Sequence, residues 1–110
     1  MTTAFLSDER FTEHDTGPGH PERPARLPTP LARLHRQDWF GRLRAVSTRS
    51  CETQWLRTIH NAALLERAKL ACDEGRPYLD SPDVAVSPQS FEIARLAAGG
   101  VLALVDEVMD

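Results

Sequence analysis

The segment His14-Asp-Thr-Gly-Pro-Gly-His-Pro-Glu-Arg-Pro-Ala-Arg26 carries two His, three Pro, two Gly and two Arg in thirteen positions. Each proline fixes one backbone dihedral and removes a hydrogen-bond donor, whereas the glycines permit backbone angles that other residues avoid. This composition is typical of a rigid polar loop rather than of a solvated linker. We therefore expect the two His and two Arg side chains to be held in set directions.

Two short apolar runs flank this loop and the helix predicted after it. Thr3-Ala-Phe-Leu-Ser7 predicts a buried first strand, and Leu43-Arg-Ala-Val-Ser47 predicts a second. Between them, Thr29 offers an N-cap with Pro30 at the first helical position, which predicts a helix to about Gln37. A strand, a helix and a strand in this order predict a right-handed βαβ unit with parallel strands.

The second half of the chain predicts three more helices, separated by capping residues and by one irregular stretch. Their predicted bounds are 50–60 with Ser50 as N-cap, 62–74 with Asn61 as N-cap and Gly75 after the end, and Ser87-Pro88 to the last residue. The chain is therefore expected to belong to the α/β class and to be rich in helices in this stretch.

The last helix has an unusual apolar surface. It is apolar on nearly every side from Ile93 to Val105, which predicts cover on more than one face. Gly99-Gly100 in its interior costs about 1 kcal/mol per residue against Ala, which predicts close approach of another backbone. Asp106 and Glu107 near its end have the wrong sign for the helix dipole. We therefore expect that the natural chain continues, or that another copy or another protein covers this helix.

The composition is that of a globular domain. The 110 residues are 41% apolar and 26% charged, which fits one domain. A net charge of −3 argues against nucleic acid as a partner. Because no apolar run approaches the roughly 20 residues of a membrane-spanning helix and no signal peptide is evident, we expect no membrane contact and a cytoplasmic location. The two Cys are too few for a disulfide framework.

Four motifs in order resemble the start of the histone deacetylase superfamily, above all its bacterial class II-like, acetoin-utilisation and acetylpolyamine amidohydrolase members. The motifs are the loop from His14 to Leu27, Trp55-Leu-Arg-Thr-Ile-His60, Tyr78-Leu-Asp-Ser-Pro-Asp83 and Ser90-Phe-Glu-Ile-Ala-Arg-Leu-Ala-Ala-Gly-Gly100. The resemblance implies an arginase/deacetylase-like three-layer α/β fold with parallel strands. Such a domain has roughly three hundred residues, so residues 1–110 are expected to be a truncated N-terminal segment of it.

The resemblance also implies an activity. It implies a zinc-dependent deacetylase that hydrolyses the acetyl amide of a small molecule, such as an acetylpolyamine, or of an acetyl-lysine protein. The family's zinc ligands, catalytic His and Tyr follow the Gly-Gly helix, so we expect no catalytic residue and no metal ligand in this chain, which alone should be inactive. The alternative is a non-catalytic module derived from the family that binds itself or a partner.

Specific residues follow from the motif positions. Arg26 matches the family Arg that lines an internal channel, where a guanidinium can hold the leaving acetate. His20 and Glu22 lie beside it in the loop, and His14 belongs to the expected entrance. These four residues are therefore predicted to form the wall of the channel or pocket.

The C-terminal candidates and the alternatives are less distinctive. Asp83, or second to it Asp80, matches a rim Asp that in some relatives binds the substrate backbone, although acids beside a proline are also ordinary turn residues. Without the resemblance, Arg26 would be expected to pair with a structural carboxylate. His14 and His20 lack a third ligand for a metal site, so both are predicted to shape the loop.

Overall fold

Two short strands and four helices form the framework of the chain. The computed structural model describes residues 2–110. The elements in chain order are β1 (Ala4–Phe5), α1 (Pro28–His35), β2 (Arg44–Ala45), α2 (Thr53–Leu56), α3 (Ala62–Asp73) and α4 (Ser90–Met109). Short 3₁₀ turns lie before α1 and before β2.

The two strands pair in parallel, as the sequence predicted. The Arg44 N–H donates to the Thr3 carbonyl at 2.9 Å, and the Val46 N–H donates to the Phe5 carbonyl at 2.9 Å. Phe5 also packs edge-on against Phe40, with 5.3 Å between ring centroids. The pair is short, so this aromatic contact helps to hold β1 against the segment that leads into β2.

Helix α1 begins earlier than predicted. Pro28, not Pro30, occupies the first helical position, and Thr29 is not the N-cap. The reason is that a 3₁₀ turn spans Pro24–Arg26 and the residue that ends it, Leu27, is also the N-cap of α1. The helix therefore begins directly after the turn. Pro30 is tolerated because the first helical turn has no intrahelical partner for its N–H groups. The helix ends at His35.

The predicted helix 50–60 is largely absent, since α2 spans only Thr53–Leu56. Cys51 is held against α4: its N–H donates to the Arg95 carbonyl at 3.0 Å, and its carbonyl accepts from Arg95 Nε at 3.1 Å. Ser50 therefore cannot cap a helix. Within the predicted range, Trp55 and Ile59 are 52% and 82% exposed.

Helix α3 confirms the predicted caps. The Asn61 side chain accepts a hydrogen bond from the Leu64 N–H at 2.8 Å, which satisfies one of the free donors of the first turn. Gly75 follows the helix with φ 69°, a left-handed conformation that ends helices and suits glycine.

The start of α4 differs from the prediction. The helix begins at Ser90, and Ser87-Pro88 forms a turn before it in which the Ser90 N–H donates to the Ser87 carbonyl at 3.0 Å. The Ser87 hydroxyl is not available as an N-cap because it hydrogen bonds to the N-terminal loop, donating to the Glu13 carbonyl at 3.2 Å.

The Gly-Gly pair of α4 packs against a backbone, as the sequence predicted. A Cβ atom on Gly99 would lie 1.6 Å from the Arg49 carbonyl oxygen and 2.9 Å from the Cys51 nitrogen. A Cβ atom on Gly100 would lie 3.0 Å from the Thr48 hydroxyl oxygen and 3.1 Å from a methyl carbon of Leu6. The segment after β2 therefore lies directly on α4, and only glycine at position 99 allows this.

The acidic residues near the end of α4 have partners that the sequence did not reveal. Arg49 Nη2 lies 2.7 Å from Asp106 Oδ2, and Arg44 Nε lies 2.5 Å from Glu107 Oε1. These ion pairs connect the end of α4 to β2 and to the segment after it. The two acids are therefore explained by contacts between elements rather than by the helix dipole.

One face of α4 is buried and the opposite face is not. The buried residues are Ser90, Ile93, Leu96, Gly99, Gly100 and Ala103. Val101, Val105 and Val108 on the other side are 60, 50 and 75% exposed. The molecule is thin, 43 × 34 × 17 Å with a radius of gyration of 15.7 Å, against about 13 Å for a closed domain of this length. Residues 2–110 therefore leave an apolar stripe of α4 uncovered.

The turn that follows β1 is held by a local ion pair. Asp8 Oδ1 accepts hydrogen bonds from the Arg10 N–H and from Arg10 Nε, both at 2.9 Å. These bonds to Arg10 lower the pKa of the Asp8 carboxyl to about 2. Asp8 is consequently ionised at neutral pH, where it caps the turn that leads into the polar loop.

Candidate functional site

The polar loop is shaped by its glycines and by its own side chains. Gly17 and Gly19 have φ values of 87° and 80°, which favour glycine. The Gly17 N–H donates to Asp15 Oδ1 at 2.9 Å, and the Thr16 hydroxyl donates to the Glu22 carbonyl. The two arms of the loop are thus joined to each other, and Glu22 lies close to the start of the loop.

His14 and its neighbours attach this loop to the start of α4. His14 Nδ1 lies 2.6 Å from Ser90 Oγ, and the Asp15 N–H donates to Ser87 Oγ at 3.1 Å. His14 Nε2 lies 3.5 Å from Glu22 Oε1. The contacts with Ser87 and Ser90 bring together residues separated by more than seventy positions in the chain. We call His14, Glu22, Ser87 and Ser90 the loop clasp.

A first pocket, the Arg26 pocket, lies on one side of the clasp. Its volume is about 240 Å³. It is lined by Phe11, His14, Glu22, Arg23, Pro24, Arg26 and Leu27. Arg26 is exposed, and the ion pairs formed within residues 2–110 do not include it. The expectation of a structural carboxylate partner for Arg26 is therefore wrong for this part of the protein.

A second pocket, the Asp83 pocket, lies on the other side of the clasp. Its volume is about 320 Å³, and its polar lining includes His14, Glu22, Asp83 and Ser90. Apolar residues of α3, α4 and the segment between them form the rest of its wall. His14 and Glu22 line both pockets, so these two members of the clasp form the wall that the pockets share.

The structure separates the two candidate rim acids. Asp80 has φ 60° and faces α3, where its Oδ2 lies 3.3 Å from Arg67 Nη2. Asp83 lines the pocket instead. A hairpin holds both, since the Leu79 N–H donates to the Val84 carbonyl at 2.8 Å. Asp80 therefore fixes the turn, and Asp83 is the acid that faces the pocket with His14 and Glu22.

His20 has a local structural position. Its Nδ1 accepts from the Glu22 N–H at 3.1 Å, and it is not among the residues that line either pocket. The structure therefore brings His14, Glu22 and Arg26 to one pocket, and His14, Glu22 and Asp83 to the next. His20 instead shapes the loop, through its contact with the Glu22 N–H.

A metal ion needs several donor side chains at one point. Residues 2–110 bring no three His, Cys, Asp or Glu side chains together in a way that could hold one. The thiols of Cys51 and Cys72 are both buried, and neither forms a disulfide. Residues 2–110 thus do not by themselves fit the zinc that the resemblance implies. No helix in residues 2–110 is long and apolar enough to cross a membrane.

A solved structure shares this arrangement of strands, loop and helices. The crystal structure of the HDA15 HD domain superposes with a TM-score of 0.74 at 27% sequence identity, covering 90% of this chain and 29% of that one. The fold is thereby of the arginase/deacetylase type, an α/β class with parallel strands, as the sequence predicted.

The sequence comparisons define the family. Residues 20–110 match the Histone deacetylase domain family. An uncharacterized protein, slr0245, of Synechocystis sp. is 36% identical over 111 residues, and a histone deacetylase-like amidohydrolase of Pseudomonas aeruginosa is 32% identical over 124 residues. This chain therefore belongs to the histone deacetylase family. Each alignment covers 97% of this chain but 36% and 32% of the relative, so the chain spans about a third of the length of these two relatives.

Proposed function

We propose that these residues are the N-terminal segment of a zinc-dependent deacetylase domain that hydrolyses the acetyl amide of a small molecule or of an acetyl-lysine protein. Membership of the histone deacetylase family supports the class of reaction. The observation that carries the proposal is the Arg26 side chain, which lines a pocket with Glu22 and His14 and has no ion-pair partner within residues 2–110.

The two pockets suggest a division of tasks. Hydrolysis of an acetyl amide releases acetate, and a guanidinium binds a carboxylate through two parallel hydrogen bonds. Arg26 would therefore hold acetate in its pocket. Asp83 and Glu22 would accept hydrogen bonds from N–H groups of the bound substrate in the Asp83 pocket. The loop clasp would keep the two pockets in a fixed relation.

Assays of the natural protein that carries this chain test the proposal. We expect release of acetate from an acetyl-lysine peptide or an acetylpolyamine, loss of turnover with a chelator and recovery with added Zn²⁺. The 110-residue chain alone is expected to be inactive, since it groups no set of metal donors in residues 2–110. Turnover by the isolated chain that a chelator abolishes would contradict the assignment of the metal ligands elsewhere. A natural protein that releases no acetate from any such amide would contradict the deacetylase proposal.

The exposed stripe of α4 favours a second candidate, a non-catalytic module that associates with a second copy. Val101, Val105 and Val108 recur at the spacing that places residues on one helix face. A charge on that stripe, Val105→Asp, is then expected to convert a dimer into a monomer, measured by light scattering after size exclusion. The control is Ala32→Asp, which places the same charge at an exposed position on α1.

The size of the protein in its own cell separates the two candidates. A product about three times as large as this 12.3 kDa chain, measured by intact mass, would contradict the self-standing module. A stable species of 12.3 kDa as the only product would contradict the deacetylase domain.

A further inference from the structure

The hydroxyl of Ser90 is surrounded by polar groups. Ser90 is 7% exposed. His14 Nδ1 lies 2.6 Å from its Oγ, the Ser87 N–H donates to it at 2.7 Å, and Ser87 Oγ lies 3.1 Å away. With its own Cβ, these three neighbours surround the Ser90 oxygen. An oxygen enclosed in this way is suited to position another group rather than to attack a substrate.

The hydrogen bonds of Ser87 decide how the Ser90 proton is used. The Ser87 hydroxyl donates to the Glu13 carbonyl at 3.2 Å, and a carbonyl can only accept. The Ser90 proton can then go to Ser87 Oγ at 3.1 Å or to His14 Nδ1 at 2.6 Å. The contact with His14 Nδ1 is the shorter of the two, and Ser90 is its donor when Nδ1 carries a lone pair.

The other end of the His14 ring requires the same tautomer. A neutral imidazole carries one proton, so a ring that accepts at Nδ1 has its N–H at Nε2. Glu22 Oε1 lies 3.5 Å from Nε2, and a carboxylate favours an N–H over a lone pair at that place. The Glu22 contact thus favours the Nε2–H form of a neutral ring, in which Ser90 donates to the Nδ1 lone pair.

We infer that Ser90 is a positioning residue that locks His14 as its Nε2–H tautomer. His14 thereby presents a fixed Nε2–H donor on the wall shared by the Arg26 and Asp83 pockets. A substrate carbonyl that enters either pocket is a suitable acceptor for it. This use in substrate binding rests on the proposed deacetylase function, whereas the tautomer itself does not.

Nitrogen NMR of the natural protein, labelled with ¹⁵N-histidine, tests the tautomer at a pH where His14 is neutral. The His14 signals are assigned by their loss in His14→Gln. We expect one Nε2–H tautomer in the wild type, retained in Ser90→Thr, which keeps the hydroxyl. Ser90→Ala should shift the Nδ1 resonance toward the averaged value of a solvent-exposed imidazole. An Nδ1–H tautomer in the wild type, or an unchanged His14 spectrum in folded Ser90→Ala, would overturn the inference.

Kinetics of the same variants test the use in binding. Loss of one hydrogen bond corresponds to about a fivefold rise in KM, expected for Ser90→Ala with kcat less changed, and rescued in Ser90→Thr. An unchanged KM in Ser90→Ala would overturn the substrate-facing role of His14. A wild type with the locked tautomer and no deacetylation would support the positioning by Ser90 while refuting the proposed function, so the two failures are distinguishable.

Discussion

Replacing Gly99 by Ala is expected to lower the free energy of unfolding by at least about 3 kcal/mol. The added Cβ would lie 1.6 Å from the Arg49 carbonyl oxygen and 2.7 Å from the Arg49 carbonyl carbon. Both are backbone atoms, so no side-chain rotation can relieve the overlap. Chemical denaturation followed by circular dichroism measures the change.

The backbone against Gly99 cannot simply move away. The Thr48 hydroxyl donates to the Leu96 carbonyl at 2.5 Å, and the Cys51 N–H donates to the Arg95 carbonyl at 3.0 Å. These bonds hold the segment after β2 on α4 on both sides of Arg49. Making room for a methyl group would break at least one of them and leave a part-buried polar group without its partner.

Two other glycines provide matched controls for this substitution. A Cβ on Gly41 has nothing within 4 Å, and the residue lies in a 3₁₀ turn without positive φ. Gly41→Ala should therefore raise stability by about 0.4–1 kcal/mol. Gly100→Ala should fall between the two, because its nearest neighbours are the ends of side chains at 3.0 and 3.1 Å. Equal stability of Gly99→Ala and Gly41→Ala would contradict the close packing of α4.

The features that the sequence predicted well depend on local chemistry. Asn61 and Gly75 bracket α3 as predicted because a cap and a left-handed terminus involve only neighbouring residues. Gly99-Gly100 indicated a close backbone because glycine in a helix interior needs a compensating contact. The late start of helix α2 could not be predicted, since it follows from the attachment of Cys51 to Arg95, which lies 44 positions away.

The candidate site was predictable in the same uneven way. The resemblance predicted Arg26 in a channel or pocket wall; Arg26 lines a pocket of about 240 Å³, and its role toward acetate stays a prediction. The choice between Asp80 and Asp83 needed the positive φ and the Arg67 contact of Asp80, which the sequence does not contain. Ser90 was missed because its partner His14 is 76 positions away and a serine at a helix start predicts only a cap.

Arg26→Ala in the natural protein is expected to reduce kcat for deacetylation about a hundredfold, the typical effect of losing one charge-stabilising donor at a reaction site. Stability should change by no more than about 0.5 kcal/mol, because exposed side chains without partners contribute little. Arg26 is such a side chain within residues 2–110. Rates of acetate release and thermal unfolding of the same samples measure both effects.

The control variants distinguish the guanidinium from mere positive charge. Arg26→Lys keeps the charge but loses the planar fork that binds a carboxylate through two bonds, so its rate should lie between those of the wild type and Arg26→Ala. Arg33→Ala, on the exposed side of α1, should leave the rate unchanged. If Arg26→Ala turned over substrate as fast as Arg33→Ala does, Arg26 would have no part in handling acetate, and its position in the pocket would be structural. A lower rate in Arg26→Ala but not in Arg33→Ala, with an intermediate rate in Arg26→Lys, would instead support binding of the carboxylate product in the Arg26 pocket.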